Sequence, residues 1–336
     1  MKHILIDVAV APNSLQRLQA LPDVAVQVVP AHTKVCEWPP ELLRECFALL
    51  CRHAPANLDD LASLAFMQIS SVGYEHLRDL NLGSRPFPIC NARGVFDTAI
   101  AEWNLAMMIN LARDLRGMIR RQEQGVWERT ERSHQEIRGR VVGLWGYGGI
   151  GRETARLAKA FGLTVHALAR SGVGPRHDHY TTPGTGDPAG VLPDRVFTSG
   201  QERDFLGGLD FLILALPRTK KTDGMIGVEE LRALPRSAFV LNPARGPIIQ
   251  EQALLTALRE GWIAGAALDT HYAYPLPSEH PLWQFPNVIL TPHISGSDHS
   301  RDFPARMGDL FAQNVERLLA GRPLLNRITG AEWREA

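Results

Sequence analysis

The chain carries no surplus charge of either sign: among 336 residues, 36 lysines and arginines offset 36 aspartates and glutamates. A neutral total sets up no field to draw in nucleic acid or an anionic membrane surface. Cysteine is scarce. Cys36, Cys46, Cys51 and Cys90 show no C-x-x-C spacing and have no paired histidines nearby. This argues against a disulfide framework or a metal knot and for buried thiols in a reducing compartment, so the expected location is cytoplasmic. Long apolar runs are missing too, and nothing reaches the ~18 residues of a membrane span. The N-terminal run, residues 4–10, is interrupted by Asp7 and alternates like a strand rather than a leader. One local excess stands out, in Arg113, Arg116, Arg120, Arg121, Arg129 and Arg132. It reads as a solvated helix face or a subunit contact rather than a nucleic-acid site.

What is present is ordinary globular composition, 45% hydrophobic with 21% charged, at a length that predicts two domains. In the first hundred residues the pattern predicts strands near 4–9, 24–29, 49–51 and 67–71, and a short amphipathic helix at 41–47. A long helix, 99–121, is expected to cross between domains. From Arg140 a regular βα series begins, with apolar runs at 141–145, 163–169, 211–216, 238–241, 264–268 and 288–290. Near-continuous apolar strands are covered on both faces, which predicts a doubly wound parallel α/β sheet. Residues 171–200 are crowded with glycine and proline and predict a long surface loop. His177 and His179 lie in it without a third ligand, so no metal is expected. A last helix, 303–319, has no strand left to cover and is expected to return to the first domain. The expected domains are thus 1–102 with 298–336, and 103–297.

The segment Gly146-Tyr147-Gly148-Gly149-Ile150-Gly151 follows one of those apolar strands and opens a helix. In that context the first glycine permits a tight turn, the second lets backbone approach a pyrophosphate, and the third lets helix pack on strand. The helix N-terminus supplies N–H groups and the positive dipole end. A nicotinamide dinucleotide is the expected cofactor. NAD sites place an acid about twenty positions on, for the ribose 2′-hydroxyl. Here Arg170-Ser171 stands there, a guanidinium and a hydroxyl suited to a 2′-phosphate. NADP(H) is therefore expected over NAD(H), the alternative being a site that accepts both.

Three further segments end predicted strands on the carboxyl side, where open α/β sheets bind ligands. They carry Arg245, Asp269 and His293. The stretches LNPARGPIIQEQALLTALREGWIAGAALDT and PLPSEHPLWQFPNVILTPHISGS, with SSVGYEHL, NARGVFDTAIAEW and GVWERT, cover most of the chain from about residue 70. In order and spacing they resemble the NAD(P)-dependent D-2-hydroxyacid dehydrogenase family, of the glyoxylate and hydroxypyruvate reductase kind. The resemblance implies a Rossmann domain inserted into a smaller flavodoxin-like α/β substrate domain. It implies that Arg245 grips a substrate carboxylate, that His293 protonates the carbonyl, and that Asp269 holds the nicotinamide carboxamide. It also implies cofactor contacts from Leu216, Pro217, Thr222, Pro243, Ala244 and Ser295, and substrate contacts from the Val72-Gly73 backbone. A homodimer joined through the 99–121 region is implied as well. The chemistry agrees, because a 2-oxo acid needs a bidentate cation and an acid that titrates near neutrality.

One position departs from the family. Where a glutamate normally partners the histidine, five residues after the aspartate, this chain has Tyr274. A phenol can orient an imidazole but supplies no negative charge to favour imidazolium. Three readings stand open: Tyr274 orients His293 in a working enzyme with its acid limb at lower pH, Glu279 or His271 takes over, or turnover is feeble. Arg52, at a strand end, would favour a second anionic or hydroxylated substrate group. The leading expectation is an NADPH-preferring reductase of a small 2-oxo acid. Formate-like dehydrogenase chemistry and a catalytically weak dinucleotide sensor are its rivals.

Overall fold

The computed structural model describes residues 1–129, 135–170, 172–177 and 179–335. It divides into two compact units, residues 1–96, 177–182 and 298–336 in one, residues 97–176 and 183–297 in the other.

The first unit opens with β1 (Lys2–Ile6), α1 (Pro12–Gln19), β2 (Val24–Val28), α2 (Pro40–Arg44), β3 (Cys46–Cys51), β4 (Phe66–Ile69) and β5 (Ile89–Cys90). The strands form one parallel sheet in the order β2-β1-β3-β4-β5, the flavodoxin-like order. Alternation along the strands sorts side chains into two cores. Ile4, Ile6, Ala48, Leu50 and Phe66 face one side, and Leu5, Leu49, Cys51 and Met67 face the other with Trp38, Leu43 and Leu58. The helix expected at 41–47 stops at Arg44, and Cys46 already pairs with His3 of β1. Apolar Cys46 and Phe47 fit either periodicity, and pairing between two buried strands decides it.

The second unit begins with α3 (Asp97–Ala112) and α4 (Leu115–Glu123). The single helix expected there is broken at Asp114, which adopts a left-handed φ of 48°. Then follow β6 (Val141–Trp145), α5 (Gly149–Ala160), β7 (Thr164–Leu168), β8 (Arg195–Phe197), α6 (Glu202–Leu206) and β9 (Phe211–Leu214). The series closes with α7 (Val228–Ala233), β10 (Phe239–Asn242), α8 (Glu251–Glu260), β11 (Gly265–Leu268) and β12 (Val288–Leu290). All seven strands are parallel, in the order β12-β11-β10-β9-β6-β7-β8, with an apolar layer on each face. The order reverses direction beside β6, the switch point where such sheets bind ligands.

The Gly/Pro-rich stretch is not simply a surface loop. It contains the edge strand β8, which pairs with β7, and Asp187 is buried. Residues 177–182 belong to the first unit, where Tyr180 is buried in the core and its N–H donates to Asn326 Oδ1 at 3.1 Å. The chain then returns to that unit as α9 (Phe303–Leu319) and α10 (Gly330–Glu335). α9 packs on α1 and buries Phe303, Met307, Leu310, Phe311 and Val315 against the β1, β3 and β4 face. Among the described residues, no helix is long and apolar enough to cross a membrane.

Candidate active site

β6 ends at Trp145, and the chain turns at Gly146 with φ +104°. A Cβ on Gly146 would stand 2.4 Å from Ala215 O, so only glycine fits. A Cβ on Gly148, by contrast, would meet no protein atom within 4 Å. Packing within the protein does not require a glycine at 148; the open space leaves room for a phosphate to approach its backbone, and the loop fits a dinucleotide on that ground. Gly148 caps α5, whose first N–H groups face the loop. Asp97, the first residue of α3, brings its carboxylate against Gly149, a neighbour that no local pattern announces. Tyr147 is buried, and its hydroxyl donates to Asp187 Oδ2 at 2.6 Å. Burial and that carboxylate push the phenol far above its ordinary value.

Arg170 follows β7 and is exposed at the strand's carboxyl end; Ser171 lies outside the described residues. After β9, Leu216 and Pro217 begin a loop braced by Thr222, whose Oγ1 donates to Pro217 O at 2.7 Å and accepts Thr219 N–H at 2.8 Å.

After β10, Asn242 braces the turn that carries Pro243, Ala244 and Arg245. Its Oδ1 accepts Ala244 N–H at 3.1 Å and its Nδ2 donates to Arg245 O at 2.8 Å. After β11, Asp269 is fully buried, and its carboxylate gathers the loop that follows β12. Oδ1 accepts Thr291 Oγ1–H at 2.5 Å and Ile294 N–H at 2.9 Å; Oδ2 accepts Ser295 N–H at 2.9 Å and the Ser295 hydroxyl. Four bonds use the acceptor sites of a carboxylate. Asp269 thus fixes residues 291–295, with His293 at their centre in a left-handed conformation, φ 58°. Trp103 of α3 donates to Thr291 Oγ1 at 3.2 Å and extends the brace. Asn242 and Trp103 lie inside segments that carry the resemblance, yet no spacing announces their bracing role.

The Tyr274 ring lies 5.6 Å from the His293 ring, centroid to centroid, tilted by 50°. Its hydroxyl accepts His271 N–H at 3.2 Å. Loss of water pushes the phenol up from its ordinary value, against the pull of that N–H and of the Arg245 charge. Tyr274 is therefore neutral at physiological pH. His271 is occupied elsewhere, with Nε2 donating to Thr291 O at 2.8 Å. Glu279 is exposed and takes its hydrogen bond from Ser278, at 3.0 Å. Of the three candidate partners, Tyr274 packs its ring beside His293.

The remaining candidates lie in the first unit, at the carboxyl ends of β3 and β4. Asn91 Nδ2 donates to Val72 O at 2.9 Å, and Ser71 Oγ donates to Gly73 O at 2.7 Å, which shapes that turn. Arg52 donates its backbone N–H to buried Asp7 at 3.1 Å, and its guanidinium is paired with Asp298. A second substrate carboxylate there would compete with Asp298. The arginine-rich segment divides: Arg116 donates to Phe285 O at 2.7 Å and also to Val288 O, Arg121 pairs with Asp114 at 3.5 Å, and Arg132 lies outside the described residues. Cys36, Cys46, Cys51 and Cys90 are thiols, and burial pushes Cys46 and Cys90 up to about 12.

A doubly wound parallel sheet with a glycine phosphate loop, and with arginine, aspartate and histidine at three adjacent strand ends, defines a dinucleotide-dependent oxidoreductase. Comparison with known proteins narrows the class. Residues 105–295 match the family model for "D-isomer specific 2-hydroxyacid dehydrogenase, NAD binding domain". The glyoxylate reductase of Thermofilum pendens is 31% identical over 299 residues, covering 85% of this chain and 84% of that protein. The D-3-phosphoglycerate dehydrogenase of Archaeoglobus fulgidus is 30% identical over 77% of this chain, which spans 46% of that longer protein. Among solved structures, a D-isomer specific 2-hydroxyacid dehydrogenase from Xanthobacter autotrophicus Py2, in complex with NADPH and MES, is similar with a TM-score of 0.77. That pair shares 26% identity over 99% of each chain. The chain belongs to the D-isomer specific 2-hydroxyacid dehydrogenase family.

Proposed function

We propose that this protein reduces a small 2-oxo acid, of the glyoxylate or hydroxypyruvate type, to the D-2-hydroxy acid with a preference for NADPH. The carrying observation is the pair at the carboxyl edge of the second sheet: Arg245 on a turn braced by Asn242, and His293 on a loop held by Asp269. Arg245 is the group that grips the substrate carboxylate, by a charge-assisted fork, and orients the carbonyl. His293 donates the proton to the carbonyl oxygen as its carbon is reduced. The nicotinamide, when bound, supplies the hydride. Gly146 to Gly151 hold the pyrophosphate, and Leu216, Pro217, Thr222, Pro243, Ala244 and Ser295 line the remainder. Asp269 contributes chiefly by fixing residues 291–295, and a carboxamide contact would share acceptor sites already used by that loop. Tyr274 orients the imidazole in place of a charged partner.

Arg170 supports the NADPH preference, with NAD accepted more weakly, because it stands where a carboxylate would repel a 2′-phosphate. The backbone at Val72 and Gly73 would take the substrate carboxylate, and Arg52, already paired with Asp298, would favour a hydroxyl over a second carboxylate. We place the enzyme in the cytoplasm, in keeping with its buried thiols. A homodimer through the cofactor unit is supported by exposed apolar side chains on α3, α4 and the segment after them: Ile109, Leu115, Ile119, Val126 and Trp127. The test is a panel of 2-oxo acids with NADPH and NADH, from about pH 5 to about pH 9. Turnover of glyoxylate or hydroxypyruvate, faster with NADPH at low cofactor, is the expected result. Cofactor binding with no turnover of any 2-oxo acid would overturn it.

A further inference from the structure

The residues between β7 and β8 hold a buried polar network that the reaction does not call for. Asp187, 4% exposed, uses both carboxylate oxygens: Oδ1 accepts the N–H groups of Gly190 (3.0 Å) and Val191 (3.1 Å), and Oδ2 accepts Leu192 N–H (3.0 Å) and the Tyr147 hydroxyl (2.6 Å). Arg152 of α5, 6% exposed, donates to Gly174 O at 2.6 Å, to Tyr147 O at 3.3 Å and to Asp187 O. Glu153, fully buried, accepts Gly186 N–H at 2.5 Å and is forked by Arg156. The outgoing and returning limbs also touch directly. Arg176 N–H donates to Pro188 O at 3.1 Å, and a Cβ on Gly190, whose φ is +72°, would stand 2.7 Å from Gly174 O.

Ionised groups are costly to bury and are retained where a complete network fixes a geometry. What this network fixes lies just beyond Arg170, in residues 172–176 and 186–192. Gly172 N–H turns back onto Ala169 O at 3.1 Å, Gly174 is pinned by Arg152, and residues 186–192 are tied to the phosphate loop and the first turns of α5. A guanidinium on a loop held at both limbs loses less freedom on binding an anion than one on a mobile loop.

We infer that Asp187 and Gly190 are positioning residues for cofactor selection, pinning residues 172–176 and 186–192 to the phosphate loop so that Arg170 meets a 2′-phosphate at a set distance from the pyrophosphate glycines. This rests on the reading of Arg170 as the 2′-phosphate contact. The test is equilibrium binding of NADPH and of NADH to the full chain, followed by tryptophan fluorescence, for R170A, D187N, G190A and the R170A/D187N double variant. D187N keeps the shape but removes one acceptor oxygen, and G190A wedges the limbs apart; thermal melts confirm folding, and either variant alone suffices. The expected result is a Kd for NADPH raised at least about tenfold, the effect of about one charged hydrogen bond, with the Kd for NADH within about twofold. The double variant should discriminate no worse than R170A alone, because both changes act through one contact. If R170A loses discrimination while D187N and G190A shift both cofactors equally or not at all, the positioning role is overturned and the reading of Arg170 stands. If R170A discriminates as the unaltered chain does, the reading of Arg170 is overturned and the positioning role with it.

Discussion

At the scale of single residues, a neutral phenol replaces a carboxylate beside the proton donor. Tyr274 packs beside His293, and its phenol, raised further from an ordinary value already well above neutrality, carries no charge. Reduction needs protonated imidazole, so its rate falls as pH rises through the histidine's pKa in the ternary complex. A carboxylate at 274 would favour imidazolium and move that pKa upward. Tyr274→Glu is therefore expected to carry the alkaline limb of the reduction profile up by on the order of one pH unit. The acid limb of the reverse oxidation should move in the same direction. A profile that stays in place would mean that Tyr274 does not neighbour the donor as described. Asp269 supplies a second test. Asp269→Ala would strand Ile294 N–H and Ser295 N–H, each costing about 1–3 kcal/mol if left unpaired, and would release residues 291–295. Turnover should fall by more than tenfold, and by more than the NADPH Kd rises through the loosened Ser295, read by kinetics beside fluorescence titration.

At the scale of elements, the phosphate loop and the Arg245, Asp269 and His293 strand ends were legible because each couples a sequence motif to an adjacent apolar strand. Both signals are local. What escaped was set by contacts between distant segments. β8 is three residues long with two of them exposed, so it has no apolar run to read, and it exists because His166, Ala167 and Leu168 offer an open edge. The break between α3 and α4 is hidden because Arg113, Asp114 and Leu115 tolerate helix; only the left-handed φ at Asp114 reveals it. The Tyr147, Arg152, Glu153 and Asp187 network joins positions up to 40 residues apart and leaves no periodicity. The return of helix 303–319 to the first sheet, expected from a count of strands, has a packing basis in α9. Phe311 is fully buried, its ring tilted against Phe66 at 5.7 Å between centroids. Phe311→Ala should cost about 3–5 kcal/mol, visible as an earlier denaturant transition of the first unit. A cost below about 1 kcal/mol would contradict the burial of α9.

At the scale of the whole molecule, the chain passes between its two units at residues 96/97, 176/177, 182/183 and 297/298. Two of those passages frame the 177–182 segment, which puts Tyr180 into the core of the first unit while the limbs on either side belong to the cofactor unit. Thiol chemistry reports on the two cores of the first unit. Cys46, Cys51 and Cys90 are buried and their thiols pushed up, whereas Cys36 is only partly covered. Alkylation of the native protein near neutral pH should modify Cys36 alone, and denaturant should release the other three, as read by intact mass.

Family membership, the phosphate loop and the strand-end residues meet in one claim, that His293 protonates a 2-oxo acid as it is reduced. The most direct measurement is kcat for NADPH-dependent reduction of glyoxylate by His293→Ala, set beside the unaltered protein at the same pH. The expected result is a loss of about 10²–10⁴-fold with NADPH affinity unchanged. A variant that retained turnover within about threefold, well under the ordinary contribution of a general acid, would contradict the account.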